Sequence, residues 1–471
     1  MRKTFKVLVA IVTFVAISFT ATAQSPRYIF YFIGDGMGMG PVMSALNYKR
    51  AVHPEQKPMV MTSFPVVGFC QTWSASTPVT DSAAAGTALS TGAKTRNGML
   101  GMDADTVSVT SIARYLKDDG WGIGILTTVA PDDATPGSFY AHVPARSMFY
   151  DIDIQAANSG YDFIAGSSWR GATDKNGNPT DVMEMFEANG YRTVYGPRGI
   201  TQIHDAEKVV LLGDPATNLN NNDVSFTIDS VPGALSLPEM TVAALQHLQK
   251  VSPERFFMMV EGGNIDHALH GNDGGAATKE VINFDEAVAV AYEFYLSHPD
   301  ETLIVITADH DTGGLTVGNR TLHYDAKVNF IDSQRISKDR FSDFCKKMLE
   351  DGKEVMTWEQ MKQFLTDNLG FWKTVPVTDE QTARLRDLYR NMIAGKGTDD
   401  KTLYGTYADF SVMVFSIFND AAGFGFTTSS HTGNPVPVFA VGTGAENFRS
   451  LNNNIDIPVA LYRLATGKDL R

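Results

Sequence analysis

Short apolar runs alternate with helix-patterned segments along most of this chain, and this alternation is the feature that most limits its fold. Several runs, such as YIFYFI and RFFMMV, are apolar on both faces, as in strands buried between two layers. Helical patterns lie between them, including residues 236–251 and 278–298. We therefore expect an α/β fold with a doubly wound, mostly parallel central sheet and helices on both faces. The predicted strands are 28–33, 66–73, 122–129, 208–213, 255–262, 302–309 and 437–442.

Two parts of the chain depart from this alternation. Residues 1–23 combine a basic start, a short apolar run and an Ala-Thr-Ala end, which is typical of a cleaved signal peptide. The run is too short to span a bilayer comfortably, so we expect residues 24–471 to be exported to the periplasm or outside the cell, without a membrane anchor. Residues 318–425, the 318–425 segment below, are mostly helical and charged, and we expect them to be a cap or crown insertion at one end of the sheet.

The charge balance restricts the partners. The net charge is −14, and it becomes −17 once the three basic residues of the signal peptide are removed. A surface this acidic argues against nucleic acid as a main partner, and an anionic substrate would need local positive charge at its site. The chain has two cysteines, Cys70 and Cys345, without a C-x-x-C pair. We expect both thiols to be unpaired and no thiolate zinc site to form.

A glycine-rich turn, FYFIGDGMGMG, follows the first predicted strand. It resembles a dinucleotide-binding loop but does not have the G-x-G-x-x-G spacing, because the third glycine would fall on Met39 or Pro41. Asp35 lies inside the turn, where a bare carboxylate would repel a phosphate. Asp35 is therefore either a turn former without chemistry or a metal ligand that faces a phosphate.

Polar clusters follow several predicted strands. A single cluster could be a set of caps and turns, but four at strand ends indicate a site, because α/β sheets bind ligands beyond the carboxyl ends of their strands. Asp and His without Cys suit catalytic zinc, whereas Asp and Glu with Thr suit magnesium. The clusters comprise Asp35, then Glu261, Asp266, His267 and His270, then Asp309, His310 and Asp311, and finally His431.

Ser82 and Arg146 each have two interpretations. Ser82 follows Asp81 at the start of an Ala-rich helical stretch, so it could belong to an N-cap or be a nucleophile at a helix N-terminus. The G-x-S-x-G motif of triad hydrolases is absent, so a metal would have to activate the hydroxyl. Arg146 could be a surface residue or a clamp for a phosphate.

Five separated motifs together resemble the alkaline phosphatase family. They are DSAAAGTALSTGAKTRNG, DDATPGSFYAHVPAR, VEGGNIDHALH, ADHDTGG and SSHTG, and the resemblance runs from about residue 28 to residue 465. It implies an exported hydrolase with two zinc ions and one magnesium ion that cleaves small phosphate monoesters through a phosphoserine. Family members are often homodimers, so the resemblance also implies a homodimer as one state of assembly.

The resemblance implies a role for each matching residue. Ser82 would be the nucleophile, Arg146 the phosphate clamp and His267 a neighbour of the phosphate. The metal ligands would be Asp266, His270 and His431 for the first zinc, Asp35, Asp309 and His310 for the second, and Asp35, Thr135, Glu261 and Asp133, the last directly or through water, for magnesium.

Two positions vary within the family. Position 133 is Asp or His in different members, and Asp133 favours magnesium over a third zinc because it is a hard oxygen donor. Position 267 is Lys or Trp in some members, and its effect here is left open.

Three other functions compete with this interpretation. A phosphodiesterase of the same superfamily typically has a Thr nucleophile and lacks the third metal site, whereas this chain has Ser82. A sulfatase would need a C-x-P-x-R motif, which is absent. An exported phosphate- or metal-binding protein would need no nucleophile, and a hydrolysis assay with and without a chelator would identify it.

Overall fold

The computed structural model describes residues 25–55, 58–220, 223–351, 355–450 and 453–470. The predicted signal peptide, residues 1–23, lies outside these ranges. Within them, no helix has the combination of length and apolar character that crossing a membrane requires. Cys70 and Cys345 are both buried free thiols, as predicted.

The core of the protein is a nine-stranded sheet. Its strand order is β2-β15-β8-β1-β7-β3-β4-β6-β5, and every pairing is parallel except those of β15. This confirms the predicted mostly parallel α/β sheet. The strands are β1 Tyr28–Gly34, β2 Val66–Cys70, β3 Gly122–Thr127, β4 Phe163–Gly166, β5 Tyr191–Tyr195, β6 Lys208–Leu212, β7 Phe256–Glu261, β8 Thr302–Ala308 and β15 Val436–Gly442.

Three small pairings lie outside this sheet. They join β9 Asp311–Thr312 to β14 His431–Thr432, β10 Thr316–Val317 to β13 Phe424–Gly425, and β11 Asp399–Lys401 to β12 Thr406–Ala408. All three are antiparallel.

Helices cover both faces of the sheet. They are α1 Met39–Val52, α2 Ser82–Thr91, α3 Ile112–Asp118, α4 Ala134–Gly137, α5 Phe149–Ala157, α6 Val182–Ala188, α7 Gly196–Gly199, α8 Leu237–Val251, α9 Asn264–His270, α10 Gly274–Ser297, α11 Lys338–Asp351, α12 Trp358–Leu369, α13 Asp379–Ile393, α14 Asp409–Ala422 and α15 Asp456–Thr466. One group, α1, α8 and α10, packs together, and a second group joins α2 with α3, α4 and α15.

Strand β1 shows how the two groups share the sheet. Its even-numbered side chains, among them Phe30 and Phe32, form aromatic contacts with Phe294 and Phe284 of α10. Tyr31 points the other way, and its hydroxyl donates to the carbonyl oxygen of Leu89 in α2. Every residue of β1 is buried, which explains why its sequence is apolar without alternation.

All seven predicted strands form, but the prediction missed β4 and β5. Strand β4 has only four residues, FIAG, and is too short for its period to stand out. Strand β5 lies at the sheet edge and exposes Arg192 and Tyr195 without regular alternation, so its sequence, YRTVY, resembles a polar surface stretch. The predicted helices at 236–251 and 278–298 correspond to α8 and α10, and α10 begins earlier, where the Asp273 side chain accepts from the Ala276 amide.

The 318–425 segment contains α11 to α14 and the β11–β12 hairpin. Helices α12 and α13 both begin with a capping box, in which Thr357 and Thr378 bond to the third residue of each helix. Helix α14 packs against α11, α13 and both hairpin strands, and the buried apolar residues of the segment are continuous with the core of the sheet.

Candidate active site

Four neighbouring parallel strands, β8, β1, β7 and β3, end at the same edge of the sheet. The register places Gly34 of β1 beside Ala308 of β8, and Ile33 beside Glu261 of β7. The residues that follow these strands must therefore lie together. This edge gathers the polar clusters predicted from the sequence.

The glycines of the turn after β1 make room for this gathering. A Cβ atom on Gly36 would lie 2.7 Å from Asp266 Oδ1, and Gly36 has a φ of +68°. A Cβ on Gly38 would lie 1.8 Å from Asp311 Oδ1, and one on Gly40 would lie 1.8 Å from a backbone oxygen. These close neighbours belong to the segments that follow β7 and β8. The glycines therefore allow those segments to pack against the turn, and they do not form a pyrophosphate-binding loop.

The first acidic cluster consists of Asp35, Asp309 and His310, all buried, with donor atoms within 4.8 Å of one another. His310 Nε2 lies 3.1 Å from Asp309 Oδ2 and 3.4 Å from Asp35 Oδ1. The Gly36 amide donates to Asp309 Oδ1 over 3.0 Å and so fixes that carboxylate against the turn. Three donors of this kind around one point are a typical open zinc site.

The second cluster lies on the other side of His310. Asp266, His310 and His431 also have donor atoms within 4.8 Å of one another, and the rings of His310 and His431 stack at 3.6 Å. His270 Nε2 lies 3.3 Å from Asp266 Oδ2 and 3.0 Å from His431 Nε2. The structure thus brings together Asp266, His270 and His431, the three residues predicted for the first zinc. His310 belongs to both clusters.

Backbone carbonyls orient two of these imidazoles. His270 Nδ1 is 2.6 Å from the carbonyl oxygen of Ser429, and His431 Nδ1 is 2.8 Å from that of Thr80. Because a carbonyl only accepts, each Nδ1 carries the proton, which leaves Nε2 as the donor atom for a metal.

Helix α2 presents Ser82 to these clusters. Asp81 is the N-cap, since its side chain accepts from the Ala84 amide over 2.9 Å. Ser82 is therefore not needed as a cap, and its Oγ lies 3.1 Å from His310 Nε2. The hydroxyl is buried at the positive end of the α2 dipole, where an oxyanion is stabilised.

The residues predicted for magnesium lie beside the first cluster. The Thr135 hydroxyl donates to Asp309 Oδ2 over 3.4 Å, and Glu261 Oε2 accepts from the Thr127 hydroxyl of β3. Asp133 has a different environment, because Oδ1 accepts from Arg146 over 2.7 Å and Oδ2 accepts from Arg170 over 2.9 Å. Burial alone would raise the pKa of Asp133, but Arg170 and then Arg146 hold it below its usual value.

Arg146 is held from three sides. Besides its 2.7 Å bond to Asp133, Nη2 donates to the Tyr404 hydroxyl over 3.3 Å, and Nη1 lies 3.6 Å from Asp81 Oδ2. Its backbone amide donates to the carbonyl of Gly98 over 2.8 Å. Arg146 is thus a positioned cation within the site rather than a free surface residue.

Sequence reasoning missed Arg170, Asp223, Tyr404 and Thr312. Arg170 links Asp133 to Asp223, and Asp223 Oδ2 lies 3.4 Å from His267 Nδ1. Burial lowers the pKa of His267 to about 4. Only Thr312 had a local signal, since it lies in the ADHDTGG motif, where its hydroxyl donates to Asp266 Oδ1 over 2.5 Å. The other three lie in stretches without a motif.

The buried carboxylates at this edge of the sheet lack enough positive charge to neutralise them. Burial, and then the charges of Asp309 and Asp266, raise the pKa of Asp35 well above its usual value, and burial does the same for Glu261. Asp35 Oδ1 and Glu261 Oε1 are buried, and no hydrogen bond reaches either from the described residues. Buried carboxylates of this kind are costly unless a cation neutralises them. The donor set therefore fits bound divalent metal ions.

Comparison with known proteins identifies relatives over almost the whole chain. The family model described as alkaline phosphatase matches residues 27–168 and 163–466. Alkaline phosphatase 4 of Bacillus subtilis is 30% identical over 456 residues, which cover 94% of this chain and 89% of that protein.

Solved structures share the fold. A cold-active alkaline phosphatase of a Shewanella species has a TM-score of 0.77 and 26% identity, covering 93% of this chain and 99% of that one. A mutant of the TAB5 alkaline phosphatase, with Mg bound in a site called M3, has a TM-score of 0.63 and 22% identity, covering 94% and 99%. At that identity the second comparison shows the fold alone.

Proposed function

Since this chain belongs to the alkaline phosphatase family, whose members hydrolyse phosphate monoesters with the help of metal ions, we propose that it acts through a phosphoserine formed on Ser82. The observation that supports this most is the position of Ser82 Oγ, 3.1 Å from His310 Nε2 and beside both acidic clusters. Ser82 at a helix N-terminus is free for chemistry because Asp81 supplies the cap.

The two clusters are the proposed zinc sites, and the residues around Glu261 are the proposed magnesium site. The first zinc would be held by Asp266, His270 and His431, the second by Asp35, Asp309 and His310, and magnesium by Asp35, Thr135, Glu261 and Asp133. Bound there, the ions supply Lewis acidity that lowers the pKa of hydroxyl groups and offsets negative charge on phosphate oxygens.

The chain's own residues perform the remaining tasks. The Ser82 oxygen attacks phosphorus as the alcohol departs on the opposite side, and the N-terminus of α2 favours the oxyanion during that attack. Arg146 exchanges part of its contact with Asp133 for the phosphoryl oxygens, whose charge it binds through two N–H groups. Water then hydrolyses the phosphoserine, which restores Ser82 and releases inorganic phosphate.

The remaining expectations form part of the same proposal. The 318–425 segment would cap the site and limit access to it. The protein would be exported to the periplasm or the cell exterior after removal of residues 1–23, and it would act on small phosphate monoesters. The acidic net charge of −14 supports the absence of nucleic acid as a stable partner. A homodimer follows from family resemblance alone.

Acid quench with labelled monoester tests the nucleophile. We expect label on Ser82 in the wild type, and a loss of most activity in Ser82→Ala while its metal content is retained. Ser90→Ala is a matched control, because Ser90 lies in the same helix and its hydroxyl donates to the backbone carbonyls of Thr87 and Ser138. Label on any other residue would contradict the assignment.

Elemental analysis and substrate choice test the rest of the proposal. We expect two zinc ions and one magnesium ion per active chain, loss of activity with a chelator, and faster turnover of a monoester than of a diester. Faster diester turnover would favour the phosphodiesterase alternative. Metal or phosphate binding without turnover would favour the binding-protein alternative.

A further inference from the structure

The 318–425 segment sends one aromatic side chain into the site. Tyr404 lies in the turn between β11 and β12, and its hydroxyl accepts from Arg146 Nη2 over 3.3 Å. Its ring centroid is 3.8 Å from that of His267, at an interplanar angle of 35°, and 5.2 Å from that of His270. The contact with Arg146 spans 258 residues of sequence.

The turn that carries Tyr404 is anchored on both sides. The Thr402 amide donates to the Gly405 carbonyl over 2.8 Å, and the Gly405 amide donates back to the Thr402 hydroxyl over 3.1 Å. Tyr407, in β12, donates to Asp339 Oδ1 over 2.5 Å, and its ring lies 4.2 Å below Lys338 Nζ. Tyr404 is thus presented by a fixed turn rather than by a loose loop.

The Tyr404 ring lies beside His267 and His270, and the Ser82 hydroxyl lies beside His310. Ser82 lies next to His310, whereas His270 lies next to His431 and Asp266. In an in-line displacement the leaving oxygen emerges opposite the attacking one, and so towards His270. The Tyr404 ring, beside His270 and over His267, would then border the alcohol group of the substrate.

We propose that Tyr404 is a positioning and specificity residue, whose hydroxyl orients Arg146 and whose ring forms a wall that favours phosphate monoesters of aromatic alcohols. This inference rests on the proposed function, because it assumes that phosphate binds at Arg146 with its alcohol towards His270. The two parts of the side chain have separable effects. The hydroxyl acts on any phosphoryl group, whereas the ring acts only on the attached group.

Competitive binding to the metal-loaded protein separates the two parts. The probes are inorganic phosphate, methylphosphonate and phenylphosphonate, measured against Tyr404→Phe and Tyr404→Leu. Tyr404→Phe should weaken all three by a similar factor of about 2 to 10, the range for one hydrogen bond, and keep the phenyl-to-methyl affinity ratio. Tyr404→Leu should also lower that ratio by about 2- to 10-fold, the range for an aromatic contact.

Tyr324→Leu is the matched control, because Tyr324 lies in the same segment and its side chain is fully exposed. It should leave all three affinities at the wild-type values. A Tyr404→Leu ratio equal to that of the wild type would overturn the role of the ring, and a Tyr404→Phe affinity for phosphate equal to that of the wild type would overturn the role of the hydroxyl. Melting temperatures show that each variant is folded before binding is compared.

The proposed function can fail independently of this inference. Wild-type turnover of a monoester and label on Ser82 test the former, whereas the relative affinities for two phosphonates test the latter without any chemical step. Separate KM and kcat values for phenyl phosphate and methyl phosphate give a second measurement. A purely structural role of Tyr404 would change both substrates equally and leave the preference between them unchanged.

Discussion

An ion pair on the surface of the 318–425 segment has surroundings opposite to those of the charged residues at the carboxyl edge of the sheet. At the edge, Asp266, Asp309 and His310 are fully buried, and His310 has a donor atom within 4.8 Å of a carboxylate oxygen of each aspartate. In the segment, Arg386 pairs with Glu359 while both side chains are more than half exposed, at 54% and 72%. Buried charges interact strongly because little water screens them, whereas exposed pairs contribute little. The edge is therefore suited to chemistry and the segment to solubility and to the placement of Tyr404.

Glycines show the same contrast. Gly38 at the edge has no room for a Cβ atom, because that atom would lie 1.8 Å from Asp311 Oδ1. Gly395 in the segment has a φ of +65° and no heavy atom within 4 Å of the Cβ position. One glycine is required by a neighbouring loop and the other only by its own backbone. Substitutions in the two regions should therefore fail for different reasons.

The largest effect is expected from Gly38→Ala. The new methyl group displaces Asp311, whose carboxylate accepts from Thr432 and Asn434 over 2.6 and 3.2 Å and so holds the strand that carries His431. Monoesterase activity should fall by roughly 100-fold, the size of effect that a misplacement of about 1 Å produces. Steady-state kinetics with matched metal loading measures it.

Gly395→Ala is the paired substitution in the segment. It should cost about 1 kcal/mol of unfolding free energy, because Ala disfavours positive φ, and leave kcat unchanged. If both variants lost activity equally, the contrast between the two regions would be wrong.

Arg146→Ala should give the next largest effect. It removes a cation that is oriented by Asp133 and Asp81, and phosphate inhibition should weaken by roughly 1–3 kcal/mol. Arg386→Ala, in the exposed pair of the segment, should leave phosphate inhibition at the wild-type value. Inhibition constants for inorganic phosphate measure both, and an unchanged constant in Arg146→Ala would exclude the clamp.

Asp133→His should change metal selection more than it changes the fold. A nitrogen donor in place of a hard carboxylate favours zinc at the third site, so zinc occupancy should rise and activity in magnesium-rich buffer should fall several-fold. The variant also loses the acceptor that joins Arg146 to Arg170. Metal content by mass spectrometry, with activity titrations, measures the effect. Three zinc ions in the wild type, with no response to magnesium, would contradict the assignment of this site.

Asp339→Asn, in the segment, should give the smallest effect on activity and should change the pH dependence of stability instead. Burial raises the pKa of Asp339 to about 7, so between about pH 4 and pH 7 the folded chain holds a proton that the unfolded chain releases. The unfolding free energy therefore falls as the pH rises through this interval. Asn cannot ionise, so the variant should lose this part of the decline and be more stable than the wild type at pH 8. Urea unfolding of the wild type and the variant at pH 5 and pH 8 measures this difference in unfolding free energy. An equal fall in unfolding free energy in both proteins would contradict the role of Asp339.

Most of the fold, and most of the residues that gather at the candidate site, could be predicted from the sequence. Six of the seven predicted strands are buried along almost their whole length, and burial on both faces leaves a continuous apolar run in the sequence. The seventh, β2, was predictable because its two exposed residues, Val67 and Phe69, are also apolar. The clusters after β1, β7 and β8 were predictable because parallel strands bring their carboxyl ends to one edge. Strands β4 and β5 were missed, since four residues or a half-exposed edge leave too little periodicity.

The sequence by itself determined the order of the strands along the chain, the motifs of the family and the adjacency of Asp81 and Ser82, all of which are local or ordered patterns. Only the tertiary structure decided that Arg170 and Arg146 share Asp133, and that Tyr404 reaches the site. These contacts join residues up to 258 positions apart, and each depends on where separate loops and segments pack. Local periodicity records which face of an element is buried, but it carries no record of the distant side chain that the element will meet.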